Sequence, residues 1–85
     1  MTFQQLEYVV EISKCGSINK AAQKLFLSQS GISTAVRELE QELGIRIFAR
    51  SNRGVEFTQE GKEFLSYALS LLEQKHRIEG LYKDS

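Results

Sequence analysis

Polar side chains at helical spacing in the middle of the chain could bind the edges of nucleic-acid bases. At 100° per residue, one face of the helix predicted there carries Ser30, Ser33, Thr34, Arg37 and Gln41. Their hydroxyl, guanidinium and amide groups can bond to bases and phosphates, and no carboxylate lies among them to repel a polyanion. Gln29, at the start of this helix, can pair bidentately with adenine, a contact that discriminates by roughly 1–3 kcal/mol. This pattern predicts contact with double-stranded DNA, with Arg37 better placed for a phosphate than for a base.

Basic residues outside this helix could add contacts to the DNA backbone. Arg53 precedes Gly54 in a predicted turn, where it could enter a narrow minor groove whose negative potential attracts arginine. Arg50 could anchor a phosphate, and Lys20, near the start of the preceding helix, could hold the flanking backbone. Simpler alternatives stay open, because hydroxyls and charges often only cover a solvated surface and Arg37 or Arg50 could pair with a nearby carboxylate.

The charge of the chain is neutral overall but unevenly distributed. Its 85 residues include 11 basic and 11 acidic ones. Residues 14–37 and 43–55 hold seven of the bases and none of the acids. Blocks of this kind can create a positive surface without a basic total.

The composition argues against several other classes of protein. One cysteine cannot form an internal disulfide, and one histidine cannot build a metal cluster. No segment approaches the ~18–20 unbroken apolar residues of a membrane span. No nucleophile–base pair or phosphate-binding loop is evident. We therefore expect a cytoplasmic protein without catalytic activity, cofactor, metal or membrane partner.

Hydrophobic periodicity and capping residues predict three short helices in the first half of the chain. Gly16 is expected to end the first helix and Ser17 to cap the second. Ser28 is expected to cap the third helix, and Gly44 to end it. In the third helix the spacing predicts one buried stripe of Ile32, Val36, Leu39 and Leu43.

A β-hairpin and a long helix are predicted to follow. The hairpin has one strand from Ile45 to Arg50, a turn at 52–54 and a return strand from Val55 to Phe57. Thr58 is expected to cap the long helix. This order predicts a mainly α fold of the winged helix-turn-helix type. It has a three-helix core plus a two-stranded β wing, followed by a long dimerisation or linker helix.

The long helix has more apolar surface than a small core needs. Its stripe comprises Phe64, Ala68, Leu71, Leu72 and Ile78. A helix of about 24 residues is ~36 Å long, more than three short helices can cover. The stripe could cover only its own core, but the surplus predicts a homodimer through this helix. A two-fold dimer would present its third helices to an inverted repeat of DNA.

Several motifs at fixed spacing resemble the N-terminal domain of LysR-type transcriptional regulators. They are Gly16 to Ala22 with Leu25, Ser28-Gln29, Ser33, Leu39-Glu40, Glu42 to Gly44, Phe48, Arg50, Thr58 and Gly61. The resemblance implies a bacterial DNA-binding regulator of transcription, with the winged domain at 1–58 and a dimerising linker helix at 59–85. It also implies a C-terminal effector-binding domain, absent from this chain, that binds a small-molecule effector, and a tetramer in the full-length form.

One departure from the family pattern lies at the start of the third helix. LysR-type regulators commonly have a proline after the glutamine that opens this helix, whereas this chain has Ser30 followed by Gly31. Glycine inside a helix costs up to ~1 kcal/mol relative to alanine, so the start of the helix is expected to be looser. The exchange also replaces an apolar contact to a thymine methyl with a hydroxyl.

A second function is compatible with the same fold. A winged-helix scaffold could serve as a protein-interaction module that uses the long apolar helix to dock on a partner, because one scaffold can host several functions. The neutral total charge favours this alternative, and the carboxylate-free face between two basic blocks favours DNA binding.

Overall fold

A computed structural model of the chain describes residues 1–51 and 54–83, with Arg50 described by its backbone alone. These residues form α1 (Phe3–Cys15), α2 (Ile18–Leu25), α3 (Gln29–Leu43), β1 (Phe48–Ser51), β2 (Gly54–Phe57) and α4 (Gln59–Tyr82). The two strands pair antiparallel. The order confirms the predicted winged helix-turn-helix, with α1 to α3 as the core, the hairpin as the wing, and α4 as the long final helix.

Hydroxyl side chains cap the helices at the predicted residues. The Ser17 hydroxyl accepts a hydrogen bond from the Lys20 amide at 3.2 Å, and the Ser28 hydroxyl accepts one from the Gly31 amide at 3.0 Å. The Thr58 hydroxyl accepts one from the amide of Gly61 at 2.9 Å. Each bond satisfies an amide that the helix itself leaves unpaired in its first turn.

The core lies between the first three helices and the base of the hairpin. Its buried residues are Val9, Ile12, Ala21, Ala22, Ile32, Val36, Leu39, Ile47 and Phe48. The predicted stripe on α3 is confirmed at Ile32, Val36 and Leu39 and is wrong at Leu43, which is 37% exposed. Leu43 is the last residue of α3, one position before the left-handed Gly44, so it lies at the end of the helix that the core does not cover.

The first strand begins later than the hydrophobic pattern predicts. Phe48 pairs with Phe57 and is the first residue of the ladder, so the prediction of a strand from Ile45 is wrong. The amide of Ile47 donates to a carboxylate oxygen of Glu40 on α3 at 2.7 Å instead of to a strand. The Ile47 side chain is fully buried, which explains why this segment has the apolar residues of a strand without its pairing.

The start of α4 is packed against the backbone just before the hairpin. The Thr58 amide donates to the carbonyl of Ile47 at 3.0 Å, and the Thr58 hydroxyl donates to the carbonyl of Arg46. Gly61 is buried there, and a Cβ atom at this position would lie 2.1 Å from the Ile47 carbonyl oxygen. Only glycine allows this close approach.

The long helix divides into a packed part and an exposed part. Ala68 and Leu72 are buried in a cluster with Leu6 and Val10 of α1, and Phe64 packs against the same cluster. Leu71 and Ile78 remain 42% and 56% exposed. The first half of α4 therefore covers its own core, and the boundary at 58/59 between winged domain and linker helix stays a prediction.

None of the helices within 1–51 and 54–83 combines the length and the apolar character that crossing a membrane requires.

Replacing Gly61 with alanine tests the close contact at the start of α4. Because the new methyl group would overlap the Ile47 carbonyl oxygen, we expect Gly61→Ala to lower the free energy of unfolding by about 2 kcal/mol or more. Urea unfolding followed by circular dichroism measures this change.

Gly80→Ala is the matched control, because a Cβ at Gly80 on α4 meets no atom within 4 Å. That variant should be neutral or more stable by up to about 1 kcal/mol. Equal stability of the two variants would contradict the proposed overlap.

Candidate nucleic-acid interface

The amino-terminal end of α3 projects from the core. Every residue from Phe26 to Gly31 is exposed. Ser28 caps the helix, and its hydroxyl lies 3.4 Å from that of Ser30. Gln29, the first residue of the helix, is therefore fixed by the cap while its side chain stays free to reach a ligand. The cap also shows how α3 begins without the proline: a Cβ at Gly31 would lie 2.9 Å from the Ser28 hydroxyl, whereas glycine leaves that bond undisturbed.

The polar face predicted for α3 lies on the side opposite its buried stripe. Thr34 and Arg37 are exposed and Ser33 is half-buried. Arg37 forms no ion pair with any described residue. The carboxylate nearest to it in α3 that has an ion-pair partner, Glu40, lies beside Arg46, with the Arg46 Nε 3.7 Å from the Glu40 Oε2. The guanidinium of Arg37 is thus available to a phosphate.

Two clefts join this face to the hairpin. One, of about 280 Å³, is lined by Gln29 together with Ser17, Ile18, Asn19, Ser51, Gly54 and Val55. The other, of about 160 Å³, is lined by Ser33 and Arg37 together with Ile18, Val36, Glu40, Arg46, Phe48 and Val55. The structure therefore brings the start of α2, the polar face of α3 and the inner side of the hairpin to one surface, as binding along a DNA groove requires.

The basic residues of this surface differ in their availability. Lys20 is exposed on the first turn of α2. Lys24 is engaged, since its Nζ lies 3.0 Å from the carboxylate of Glu11 on α1. The hydrogen-bonded ion pair with Lys24 lowers the pKa of Glu11, and the same bond raises the pKa of Lys24. Lys24 thus serves to join α2 to α1.

The phosphate contact predicted for Arg50 and the minor-groove contact predicted for Arg53 cannot be placed by side chain. The backbone of Arg50 lies in β1, opposite Val55. Its side chain, and the whole of Arg53, lie outside the described residues. The structure places only the strands that lead to them.

Of the three glutamates that follow Arg37, at positions 38, 40 and 42, the last two bond to groups of the chain itself. A carboxylate oxygen of Glu40 accepts from the amides of Ile47 at 2.7 Å and Phe48 at 3.3 Å. The carboxylate of Glu42 lies 2.5 Å from the amino group of Met1. These bonds hold both negative charges in the scaffold.

Sequence reasoning missed three participants in this surface. Glu40 joins α3 to the hairpin, Arg46 lines the cleft beside Arg37, and Asn19 lines the cleft beside Gln29. The basic block at 43–55 signals Arg46. Glu40 and Asn19 occur in the motifs that resemble the LysR family, but no sequence pattern predicts their contacts, because their neighbours lie on other elements.

Among residues 1–51 and 54–83, no three His, Cys, Asp or Glu side chains come together as a metal-binding group.

Comparison with known proteins points to one family. Residues 3–62 match the family model for bacterial regulatory helix-turn-helix proteins of the lysR family. The chain is 43% identical over 72 residues to the HTH-type transcriptional regulator ClcR of Pseudomonas putida. This match covers 85% of this chain and 24% of ClcR. The chain thus spans only about a quarter of the length of such curated relatives.

Solved structures with the same fold include DNA complexes. The structure of the BenM DNA-binding domain with catB site 1 DNA has a TM-score of 0.94 and 36% identity, and the match covers 99% of this chain and 94% of that one. Full-length CbnR, a LysR family transcriptional regulator, has a TM-score of 0.93 and 35% identity, covering 98% of this chain and 29% of CbnR.

Removing the Glu40 carboxylate tests whether it holds the hairpin to α3. Glu40→Ala leaves the amides of Ile47 and Phe48 without their acceptor, so we expect a loss of about 1–3 kcal/mol in the free energy of unfolding. Glu38→Ala is the control, because Glu38 forms no hydrogen bond or ion pair within the described part of α3 and its surroundings. It should change stability by no more than about 0.5 kcal/mol in urea unfolding. Similar losses in both variants would count against this function of Glu40.

Proposed function

The chain belongs to the lysR family of bacterial regulatory helix-turn-helix proteins, and from this premise we propose that it is a sequence-specific binder of double-stranded DNA that regulates transcription. The observation that carries the proposal is the capped polar face of α3, whose positions include no carboxylate: Ser30, Ser33, Thr34, Arg37 and Gln41. Recognition helices of helix-turn-helix proteins enter the major groove with their first residues next to base edges. Gln29, Ser30, Ser33 and Thr34 occupy those positions here.

We assign different functions to the residues of this surface. Gln29 reads adenine through its amide, and Ser30, Ser33 and Thr34 bond to bases or nearby phosphates. Ser28 caps α3 beside the DNA. Phosphate contacts come from Lys20 and Arg37, which are exposed, and from Arg50 on the hairpin. Arg53, which lies in sequence between β1 and β2, is assigned to the minor groove.

We further propose that two copies associate through α4. Ala68 and Leu72 are covered by α1 of the same chain, and Phe64 is half-buried there, so their part in a dimer is indirect. Leu71 and Ile78 leave apolar surface exposed and are continued by Leu81 and Tyr82, each 68% exposed. Burying this stripe against a second copy would remove it from water. A two-fold dimer of this kind binds an inverted repeat.

The rest of the proposal concerns a longer protein. In a cytoplasmic, full-length regulator, the segment after α4 would carry the effector-binding domain, which takes a small molecule, and the whole would assemble as a tetramer. Full-length BenM and full-length CbnR are solved structures that continue beyond the part matched by this chain, which supports such an arrangement. We assign no catalytic function to any residue, in keeping with curated relatives that are named as transcriptional regulators.

Base reading and phosphate binding can be separated by two substitutions. A duplex selected by the wild-type chain from a random pool supplies the specific target, and its scrambled version supplies the non-specific one. Gln29→Ala should weaken binding to the selected duplex by about 1–3 kcal/mol and leave the scrambled duplex nearly unaffected. Arg37→Ala should weaken both and reduce the salt slope of binding by about 1. Fluorescence anisotropy at several salt concentrations measures both effects.

Arg77→Ala is the control for charge, because Arg77 pairs with Glu73 on the distal half of α4. It should bind both duplexes as the wild type does. Equal wild-type affinity for the selected and scrambled duplexes would overturn the proposed function.

The proposed dimer can be tested on the exposed stripe of α4. Leu71→Asp places a charge that association would have to bury, so we expect the variant to sediment as a monomer and to bind an inverted repeat no better than a single half-site. Leu69→Asp is the matched control, because Leu69 is 47% exposed but lies about 200° around the helix from Leu71. If the Leu71→Asp variant sediments as a dimer, the two copies associate through another face of α4 or through a different part of the chain, and the proposed interface is wrong.

A further inference from the structure

A phenylalanine in the connection between α2 and α3 is both exposed and held in an unusual backbone conformation. Phe26 is 93% exposed. Its φ of 57° and ψ of 41° place it in the left-handed region, and among the described residues it alone does so without being a glycine. An aromatic ring in water and a left-handed bulky residue are each unfavourable. Glycine or asparagine would adopt this turn more readily.

The connection fixes the backbone that carries the ring. The amide of Phe26 donates to the Gln23 carbonyl at 3.3 Å, and the amide of Leu27 donates to the Ala22 carbonyl at 2.9 Å. These bonds end α2 and fix the backbone on both sides of the ring. The ring adds nothing to the core, because only 7% of its surface is covered. An exposed ring on a backbone of unfavourable conformation points to a function outside the folded chain.

The surroundings of Phe26 indicate the partner. It begins the exposed run that continues through Ser28 and Gln29 to Gly31, at the end of α3 that enters the major groove under the proposed function. It also lies within residues 14–37, which contain four bases and no acid, although Lys24, two residues before it, is paired with Glu11 on α1. A polyanion with apolar patches suits this mixture of positive charge and an aromatic ring.

We propose that Phe26 binds the apolar edge of DNA beside the major groove, with its ring against a thymine methyl group or a deoxyribose. This contact rests on the proposed function. It adds to the interface a residue that precedes the recognition helix and contributes to affinity or to sequence specificity. The hydrogen-bonded left-handed turn fixes the backbone of Phe26 before DNA binds, so ordering this turn costs little conformational freedom on binding.

Phe26→Asn separates this function from any structural one. Asparagine tolerates the left-handed conformation and removes the ring, so the thermal unfolding midpoint should be unchanged or higher than that of the wild type. Binding to the duplex selected by the wild-type chain should weaken about tenfold, as expected for loss of an aromatic contact to a nucleic acid. Leu69→Ala removes another exposed apolar side chain, on α4, and should leave affinity unchanged.

A duplex with uracil in place of thymine distinguishes the two sources of the contact. If the ring packs on a methyl group, the difference between wild type and Phe26→Asn should disappear on the uracil duplex. If it packs on deoxyribose, the difference should be the same on both duplexes. Either result supports the contact.

Two results would overturn the proposal, and they are distinguishable. Wild-type binding to the selected duplex with an unchanged Phe26→Asn affinity would remove Phe26 from the interface while leaving the proposed function intact, and would direct attention to a protein partner for the ring. A wild-type chain that does not prefer any duplex would remove the proposed function and this contact together.

Discussion

The backbone amide and carbonyl of Ile47 connect α3, the hairpin and the start of α4. The Ile47 amide is bound by the Glu40 carboxylate of α3, and the Ile47 carbonyl accepts from the Thr58 amide that precedes α4. Gly61 comes so close to the same carbonyl that no side chain fits between them. Because the isoleucine side chain is also fully buried, α3, α4 and the hairpin are held in one fixed relation. The positions of the polar face and of the wing follow from that relation.

The pairing of carboxylates within the fold explains how a chain of zero net charge can present a positive surface. The carboxylates of Glu11, Glu40 and Glu42 are each bonded to a group of the protein's own scaffold. On the polar face of α3, Arg37 keeps its charge unpaired within the described residues. Net charge is a sum over residues, whereas a DNA backbone responds to the charges on the side it meets. The uneven distribution therefore matters more than the total.

Local signals predicted much of this fold, and contacts between distant elements account for the errors. Ser17, Ser28 and Thr58 cap their helices because a hydroxyl satisfies amides only three residues away. The strand predicted from Ile45 fails because a carboxylate seven residues earlier takes the Ile47 amide, a competition that no hydrophobic pattern records. The polar face of α3 was predictable from helical spacing. The residues of α2 and of the hairpin that line the clefts beside this face were not predictable, because only the folded core brings those elements next to α3.

The length of α4 gives the fold a mechanical property. Its 24 residues run without a proline for about 36 Å, and its first turn is clamped on the backbone at Ile47. Because the helix is continuous and closely packed at its first turn, a rotation imposed near Tyr82 can be passed along it to the base of the hairpin. Any body attached beyond that residue could therefore turn the wing and α3 as a unit. If two copies associate through α4 as proposed, a small twist at the distal ends would alter the distance between their two α3 helices.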